Sequence, residues 1–378
     1  MRSLWKTRRE KILAKPVNAI VVHSPHSGRS ALLSQALTHT QEAGVHVSQV
    51  ISIAELDGLP AQGASWRAQG IDIAIAAGGD GLVGGVVTHI AESGLPLGIL
   101  PLGTANDIVR TLNIPLDIAQ AAQLFISGKE LEIDIGAAQP AEQAPHPTNP
   151  SPEGPVLSRI PLQKHGYFVH ALIAGLNVQF ARLATNIVTR QRYGRFTYSL
   201  AALDVLRNHR SLDVDIQFTG LALPQTKQFS QQQGTAEPST SMEQTTLHCR
   251  ALQVTVIIAP IFGGAWHLSI PGAQVNDRLL DIVVIEEIVT RKLSTKLAQF
   301  FDMQKQSIAP ESSKDSSSFA HNPADLSRIP GIHHLQAQGI TISTEADPQD
   351  VTLDGEVRGQ TPMHVRLASE RLRVMVPR

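Results

Sequence analysis

The sequence predicts an α/β fold: a three-layer parallel α/β domain, followed by a β-rich domain. Three observations carry this. Near the N-terminus, three apolar strand candidates each end in a polar or glycine-rich loop and run into a helix-like stretch. Such strand–loop–helix units build parallel sheets with helices on both faces. Beyond residue 165, short strand candidates follow one another with few helices between them, the pattern of antiparallel sheets. Between the two patterns lies a proline-rich tract, Ala137–His165, which holds seven of the 23 prolines.

Taken in order, Ala19–His23 is a short apolar strand, and the helix after it places Leu32, Leu33, Ala36 and Leu37 on one face. Val45–Ile53 alternates and reads as a strand. Ile71–Ala77 is a buried strand that ends at Gly78-Gly79-Asp80-Gly81, and the helix over Leu82–Glu92 carries Val83, Val86, Val87 and Ile90 at helical spacing. Leu97–Leu100 is a strand that ends at the loop Pro101–Asp107, with Ile108, Val109 and Leu112 on the next helix. In the second part Tyr167–Ala174, Leu212–Phe218, Leu252–Ala259, Asp281–Ile285, Gly339–Ser343, Met363–Leu367 and Leu372–Val376 read as strands; Val178–Arg190, Phe196–Arg207 and Val289–Phe300 read as helices. The expected division is a basic extension over 1–16, the α/β domain over 17–136, a linker over 137–165 and the β-rich domain over 166–378, with insertions at 221–247 and 305–331. Proline, glutamine and serine dominate these three tracts, which lack the apolar area to offset their ordering entropy.

Composition narrows the function classes. Lysine and arginine total 32 against 33 acids, a net charge of −1, which excludes a strongly basic nucleic-acid binder. Cys249 is the single cysteine, so neither an intramolecular disulfide nor a multi-thiolate zinc site can form. No apolar run reaches the ~18–20 residues of a membrane span. The first fifteen residues are basic rather than continuously apolar, through Arg2, Lys6, Arg8, Arg9, Lys11 and Lys15. Such a segment is either a frayed terminus or a contact for an anionic lipid surface. A cytoplasmic placement is expected, peripheral at the inner membrane face if that segment docks.

Ligands of open parallel sheets bind at the carboxyl ends of the strands, and three polar loops lie there. Gly78-Gly79-Asp80-Gly81 offers open backbone N–H groups and a following helix N-terminus, the arrangement that cradles phosphate. An acid inside such a loop calls for a cation, and magnesium on nucleotide phosphates supplies one. The alternative is a tight turn with Asp80 as a helix cap. In the second loop the Thr104 hydroxyl can cap a helix or meet a phosphate, and Asn106 and Asp107 put polar groups at the same edge. The third, Ser24–Arg29, offers the Ser24 and Ser27 hydroxyls, the open backbone of Gly28 and the charge of Arg29. Far along the chain, Asp354-Gly355-Glu356 sets two carboxylates around a glycine: either a base and a metal contact, or an Asp-Gly hairpin turn.

These pieces, in this order, resemble the diacylglycerol kinase catalytic-domain family, which includes bacterial diacylglycerol kinases and sphingosine-kinase-like enzymes. Ile133–Gly136, and Gly194 with Tyr198, add to the match. The resemblance implies an α/β nucleotide domain followed by a β-sandwich-like domain, with the active site between them. It implies transfer of the ATP γ-phosphate to a lipid hydroxyl at a membrane surface, with Mg2+. Asp354 would be the general base, Glu356 would contact nucleotide or magnesium, and Asp80 would organise the phosphate and metal site. Gly78, Gly79, Gly81, Thr104, Asn106, Ser24, Ser27 and Gly28 would hold ATP. A second, structural magnesium of the family would fall at Gln274–Leu279, with Asp277 as its side-chain ligand.

Four positions depart from the family pattern. Leu82 stands in place of a threonine, Gly84-Gly85 in place of Asn-Glu, and Arg278 in place of the glycine of the structural-metal loop. Two other readings stay open: a kinase of a soluble acceptor such as NAD, and a nucleotide-binding regulator with weakened catalysis.

Overall fold

The computed structural model describes residues 17–141, 166–175, 211–222, 245–262, 268–287, 330–345 and 347–378. The basic segment, the three expected helices of the second part, and Gly194 with Tyr198 lie outside these residues.

Alternating elements open the chain: β1 (Val17–His23), α1 (Leu33–Glu42), β2 (Val45–Ser52), α2 (Gly63–Ala68), β3 (Ile73–Gly78), α3 (Asp80–Ile90), β4 (Leu97–Pro101), α4 (Asp107–Thr111), α5 (Ile118–Ser127) and β5 (Lys129–Ile133). Strands β1 and β3 carry apolar residues on both faces because both faces are covered. Ile20 and Val22 face a core completed by Val83, Val86 and Ile90 of α3 and Trp66 of α2. Ala19, Val21, Ile73 and Ile75 face the opposite core, with Ala36 of α1 and Ala122 and Phe125 of α5. These are the three predicted layers. Helix α5 begins at Asp117, whose carboxylate accepts the Gln120 N–H at 2.9 Å.

The strands that follow are β6 (Gly136–Pro140), β7 (Gly166–Phe168), β8 (Ala171–Gly175), β9 (Leu212–Ala222), β10 (Thr245–Ile257), β11 (Ile261–Phe262), β12 (Leu268–Ser269), β13 (Leu280–Glu286), β14 (Ile332–Thr344), β15 (Asp350–Leu353), β16 (Glu356–Gln360), β17 (Met363–Leu367) and β18 (Leu372–Val376). Ten of them form an antiparallel sheet in the order β16-β15-β8-β10-β13-β14-β17-β6-β7, with β9 paired to both β10 and β14. The sheet thereby folds over its own core, in which Phe168, Ile216, Phe218, Val254, Ile282 and Ile340 meet. This is the β-sandwich-like second domain.

Three of the expected divisions change. The first sheet runs β2-β1-β3-β4-β18-β5, so the last strand returns to the first domain, parallel to β4 and antiparallel to β5. The β-rich domain therefore does not take in all of 166–378. Residues 137–140, expected in the linker, form β6, because Gly136–Pro140 pair with Met363–Leu367 of β17. The insertion expected at 221–247 is shorter at both ends, since β9 runs to Ala222 and β10 starts at Thr245.

Candidate active site

The three loops converge at the carboxyl edge of the first sheet, and glycines let them interlock. A Cβ on Gly103 would lie 2.3 Å from the Gly79 Cα, so the Gly78–Gly81 and Pro101–Asp107 loops touch backbone to backbone. A Cβ on Gly28 would lie 2.4 Å from the Thr104 Oγ1. Between them opens a cleft of about 230 Å³. Ser24, Ser27 and Gly28 line it from one loop; Gly79, Asp80 and Gly81 from another; Thr104 from the third. Glu356 closes it from the second domain. Leu82 is also on the wall, an apolar side chain where a threonine was expected to offer a hydroxyl.

Other expected contacts lie behind this wall. Gly78 is buried at the end of β3, where a Cβ would meet Leu82 and the Ser27 Oγ. Asn106 is 2% exposed and adopts the left-handed backbone, φ +54°. Its amide accepts the Gly103 N–H at 3.1 Å and donates to the Gly103 carbonyl at 3.0 Å, so it shapes the loop rather than facing the cleft. Arg29 is turned to the sheet edge: its N–H donates to the Leu102 carbonyl at 2.9 Å and its guanidinium to the Pro101 carbonyl. It does not offer its charge to the cleft. The described lining contains neither lysine nor arginine.

Asp80 does not cap its own helix: α3 has Gly79 at its N-cap and no side-chain cap bond. The Asp80 carboxylate accepts the N–H groups of Asp107 (3.1 Å) and Ile108 (2.9 Å), satisfying the free N-terminus of α4 and tying the two glycine loops together.

Asp354 and Gly355 have φ of +48° and +88°, the pair of positive values of a two-residue hairpin turn, between β15 and β16. The turn reading and the carboxylate reading are both realised here. The Asp354 carboxylate points inward and accepts three successive backbone N–H groups, from Val169 (3.0 Å), His170 (2.9 Å) and Ala171 (3.0 Å). Burial pushes its carboxyl up to about 6, against the opposing pull of the nearby His170 and those three donors. It sits over Gly84, where a Cβ would lie 2.4 Å from the Asp354 Oδ2. The expected Asn-Glu pair is thus replaced by a glycine that makes room for Asp354. Glu356 is about half exposed, and Arg358, two residues along the same strand face, pairs with it.

Sequence reasoning missed the 169–171 donors, His170 and Arg358. His170 packs on Phe262 with ring centroids 4.4 Å apart, and its Nε2 meets the Ile261 carbonyl at 2.9 Å. Backbone donors leave no sequence signal. Arg358 did leave one, the i, i+2 spacing from Glu356 that shares a strand face.

Asp80 and Glu356 put hard carboxylate oxygens on the cleft wall, where Asp80 also accepts two N–H groups of α4 and Glu356 pairs with the Arg358 guanidinium. This donor set fits magnesium, which binds through one or two carboxylates plus substrate phosphates. Asp277 does not fit the second metal. Burial pushes its carboxyl up, and it accepts the Leu279 N–H at 3.0 Å. The carbonyls beside it are also occupied, Val275 by the Asp134 N–H (2.7 Å) and Asn276 by the Arg371 Nη2 (2.8 Å). A cation would have to displace these donors.

Comparison with known proteins agrees with this architecture. A sequence model of the diacylglycerol kinase catalytic domain matches residues 18–138, and one of the YegS C-terminal NAD kinase beta sandwich-like domain matches 171–305. A diacylglycerol kinase of Staphylococcus saprophyticus is 22% identical over 364 residues, 95% of each chain. One of Staphylococcus aureus is 28% identical over 211 residues, 53% of this chain and 57% of that protein. The crystal structure of a diacylglycerol kinase from Bacillus anthracis shares the fold, with a TM-score of 0.58 at 19% identity over 96% of this chain and 98% of the other. With both domains matched in order, the chain belongs to the diacylglycerol kinase catalytic-domain family.

Proposed function

We propose that this chain transfers the γ-phosphate of ATP to the hydroxyl of a lipid, diacylglycerol-like or sphingoid, at a membrane surface. Its family supports lipid kinase activity in general. The observation that carries the finer reading is the cleft of interlocked glycine loops with Asp80 and Glu356 on its wall. Open backbone at Gly28, Gly79, Gly81 and Gly103 lets phosphate oxygens come close, and the N-terminus of α3 adds its dipole. When bound at Asp80 and Glu356, magnesium would neutralise phosphate charge. Thr104, Ser24 and Ser27 would orient the nucleotide.

In the transfer, the lipid oxygen bonds to the γ-phosphorus as the bond from that phosphorus to the β,γ-bridging oxygen breaks, and ADP leaves. The hydroxyl proton goes to Asp354. A carboxyl raised to about 6 is a competent acceptor near neutral pH. Presenting an oxygen to the cleft requires the Asp354-Gly355 turn to shift, because three N–H groups hold the carboxylate inward. Among the described residues no helix is long and apolar enough to cross a membrane.

One observation favours a second reading. Asp80 and Asp354 both spend their oxygens on backbone donors, as in a nucleotide-binding protein that does not transfer. Labelled ATP offered with diacylglycerol and sphingosine in mixed micelles, and with NAD in parallel, separates the readings. The kinase reading expects a labelled lipid, and Asp354→Asn should cut turnover by ~10²–10⁴-fold with ATP affinity nearly unchanged. Near-normal turnover in Asp354→Asn would remove Asp354 as the base. ATP binding without label on any lipid would favour the regulator.

A further inference from the structure

The chain passes between the two sheets twice, once between β5 and β6 and once between β17 and β18. The passages run side by side, with the Ala368 N–H donating to the Ile135 carbonyl at 2.8 Å. Asp134 sits in the first passage and Arg371 in the second. The Asp134 side chain is 1% exposed. It accepts the Arg278 backbone N–H at 2.7 Å, the Arg278 Nη1 at 3.3 Å and the Arg371 Nε at 2.9 Å. The Arg371 Nη2 continues to the Asn276 carbonyl, and the Asp134 N–H to the Val275 carbonyl. One buried carboxylate therefore joins both passages to the turn over 274–279.

Arg278 holds φ +65°. That backbone suits glycine and strains an L side chain. Arginine accepts the strain here, and both its backbone N–H and its guanidinium go to Asp134. A buried carboxylate needs positive charge beside it. Two guanidinium groups provide it. The oxygens a cation would use, the Asp277 carboxylate and the carbonyls of Val275 and Asn276, are already bonded to donors of the chain itself.

We infer that Arg278 and Arg371, clasped on Asp134, hold this turn and the joint between the domains, in place of the family's structural divalent cation. The joint is then set without metal, whereas the nucleotide site keeps its need for one. The two metal dependences separate in this chain. Another acid that acts on Asp277 is Asp281, one oxygen of which meets the His334 Nε2 at 2.8 Å. Its other oxygen has no partner among the described residues, so it belongs in the test.

The test is thermal unfolding of the full chain without nucleotide, in excess EDTA and in millimolar magnesium or calcium. The wild type should melt at the same temperature in all three. Arg278→Gly and Arg371→Gln should each lower Tm in EDTA by about 4–8 °C, the loss expected when a partly exposed partner of a buried charge is removed. If Arg371→Gln does not fold, Arg371→Lys keeps the charge, loses the fork, and should show a smaller drop. A wild-type Tm that rises with magnesium or calcium, and no longer does so in Asp277→Asn or Asp281→Asn, would overturn the inference. So would Arg278→Gly and Arg371→Lys melting like the wild type.

Discussion

Gly84 lies inside α3, where helix propensity alone favours alanine over glycine by about 1 kcal/mol. Packing reverses the sign. The new Cβ would stand 2.4 Å from the Asp354 Oδ2, 2.9 Å from its Cβ and 3.0 Å from its Cγ. Either the helix and the hairpin move apart, an overpacking cost of about 1–3 kcal/mol, or Asp354 swings out. Swinging out forfeits three hydrogen bonds to a charged acceptor, each worth about 1.5–3 kcal/mol, partly offset by rehydration of the carboxylate. The cheaper route decides, so after the propensity gain Gly84→Ala should destabilise by up to about 2 kcal/mol. The neighbouring Gly85→Ala is the control: its Cβ would meet only the end of Ile53, at 3.1 Å, and that flexible side chain can give. Urea unfolding of the wild type and both variants at neutral pH measures the difference. Gly84→Ala as stable as Gly85→Ala, or more stable than the wild type, would refute the seating of Asp354 on α3.

Three further predictions concern the acids. The folded-state value of Asp354, about 6, lies above its ordinary 3.8, so the folded chain takes up this proton first. The stability that Asp354 contributes therefore falls as pH rises from about 4 to about 6 and is flat above; the difference in pH-dependent unfolding between wild type and Asp354→Asn should show that slope. With the same carboxylate as the base, kcat/KM should lose tenfold per pH unit below about 6. Asp80→Ala should cost about 1–2 kcal/mol, because the α4 N-terminus loses its acceptor, and should raise KM for ATP as the loops separate; an unchanged melting temperature would contradict the cap.

The edge of the first sheet was legible because local signals suffice there. Strands β1, β3 and β4 are apolar runs stopped by glycine or proline, and their loops carry the glycines that the interlocking needs. The return of β18 was not. Leu372–Val376 alternates as a strand should, but nothing local says which sheet it joins. Strand β6 was hidden in a proline-rich tract, since its partner β17 lies more than 200 residues away. Helix α5 was missed even though Asp117 marks its start. At the site, the positions of Asp80, Glu356 and Asp354 were readable, but the directions of their carboxylates were not. Those directions depend on Asp107 and Ile108 and on the 169–171 backbone, partners that only the folded chain brings near.

The proposed reaction is phosphate transfer from ATP to a lipid hydroxyl. Its most direct test is mass spectrometry of a total lipid extract incubated with the full chain, ATP and magnesium, beside the Asp354→Asn variant. A lipid class should gain one phosphate with the wild type and not with the variant. An extract unchanged by the wild type, with ATP bound in the cleft, would contradict it.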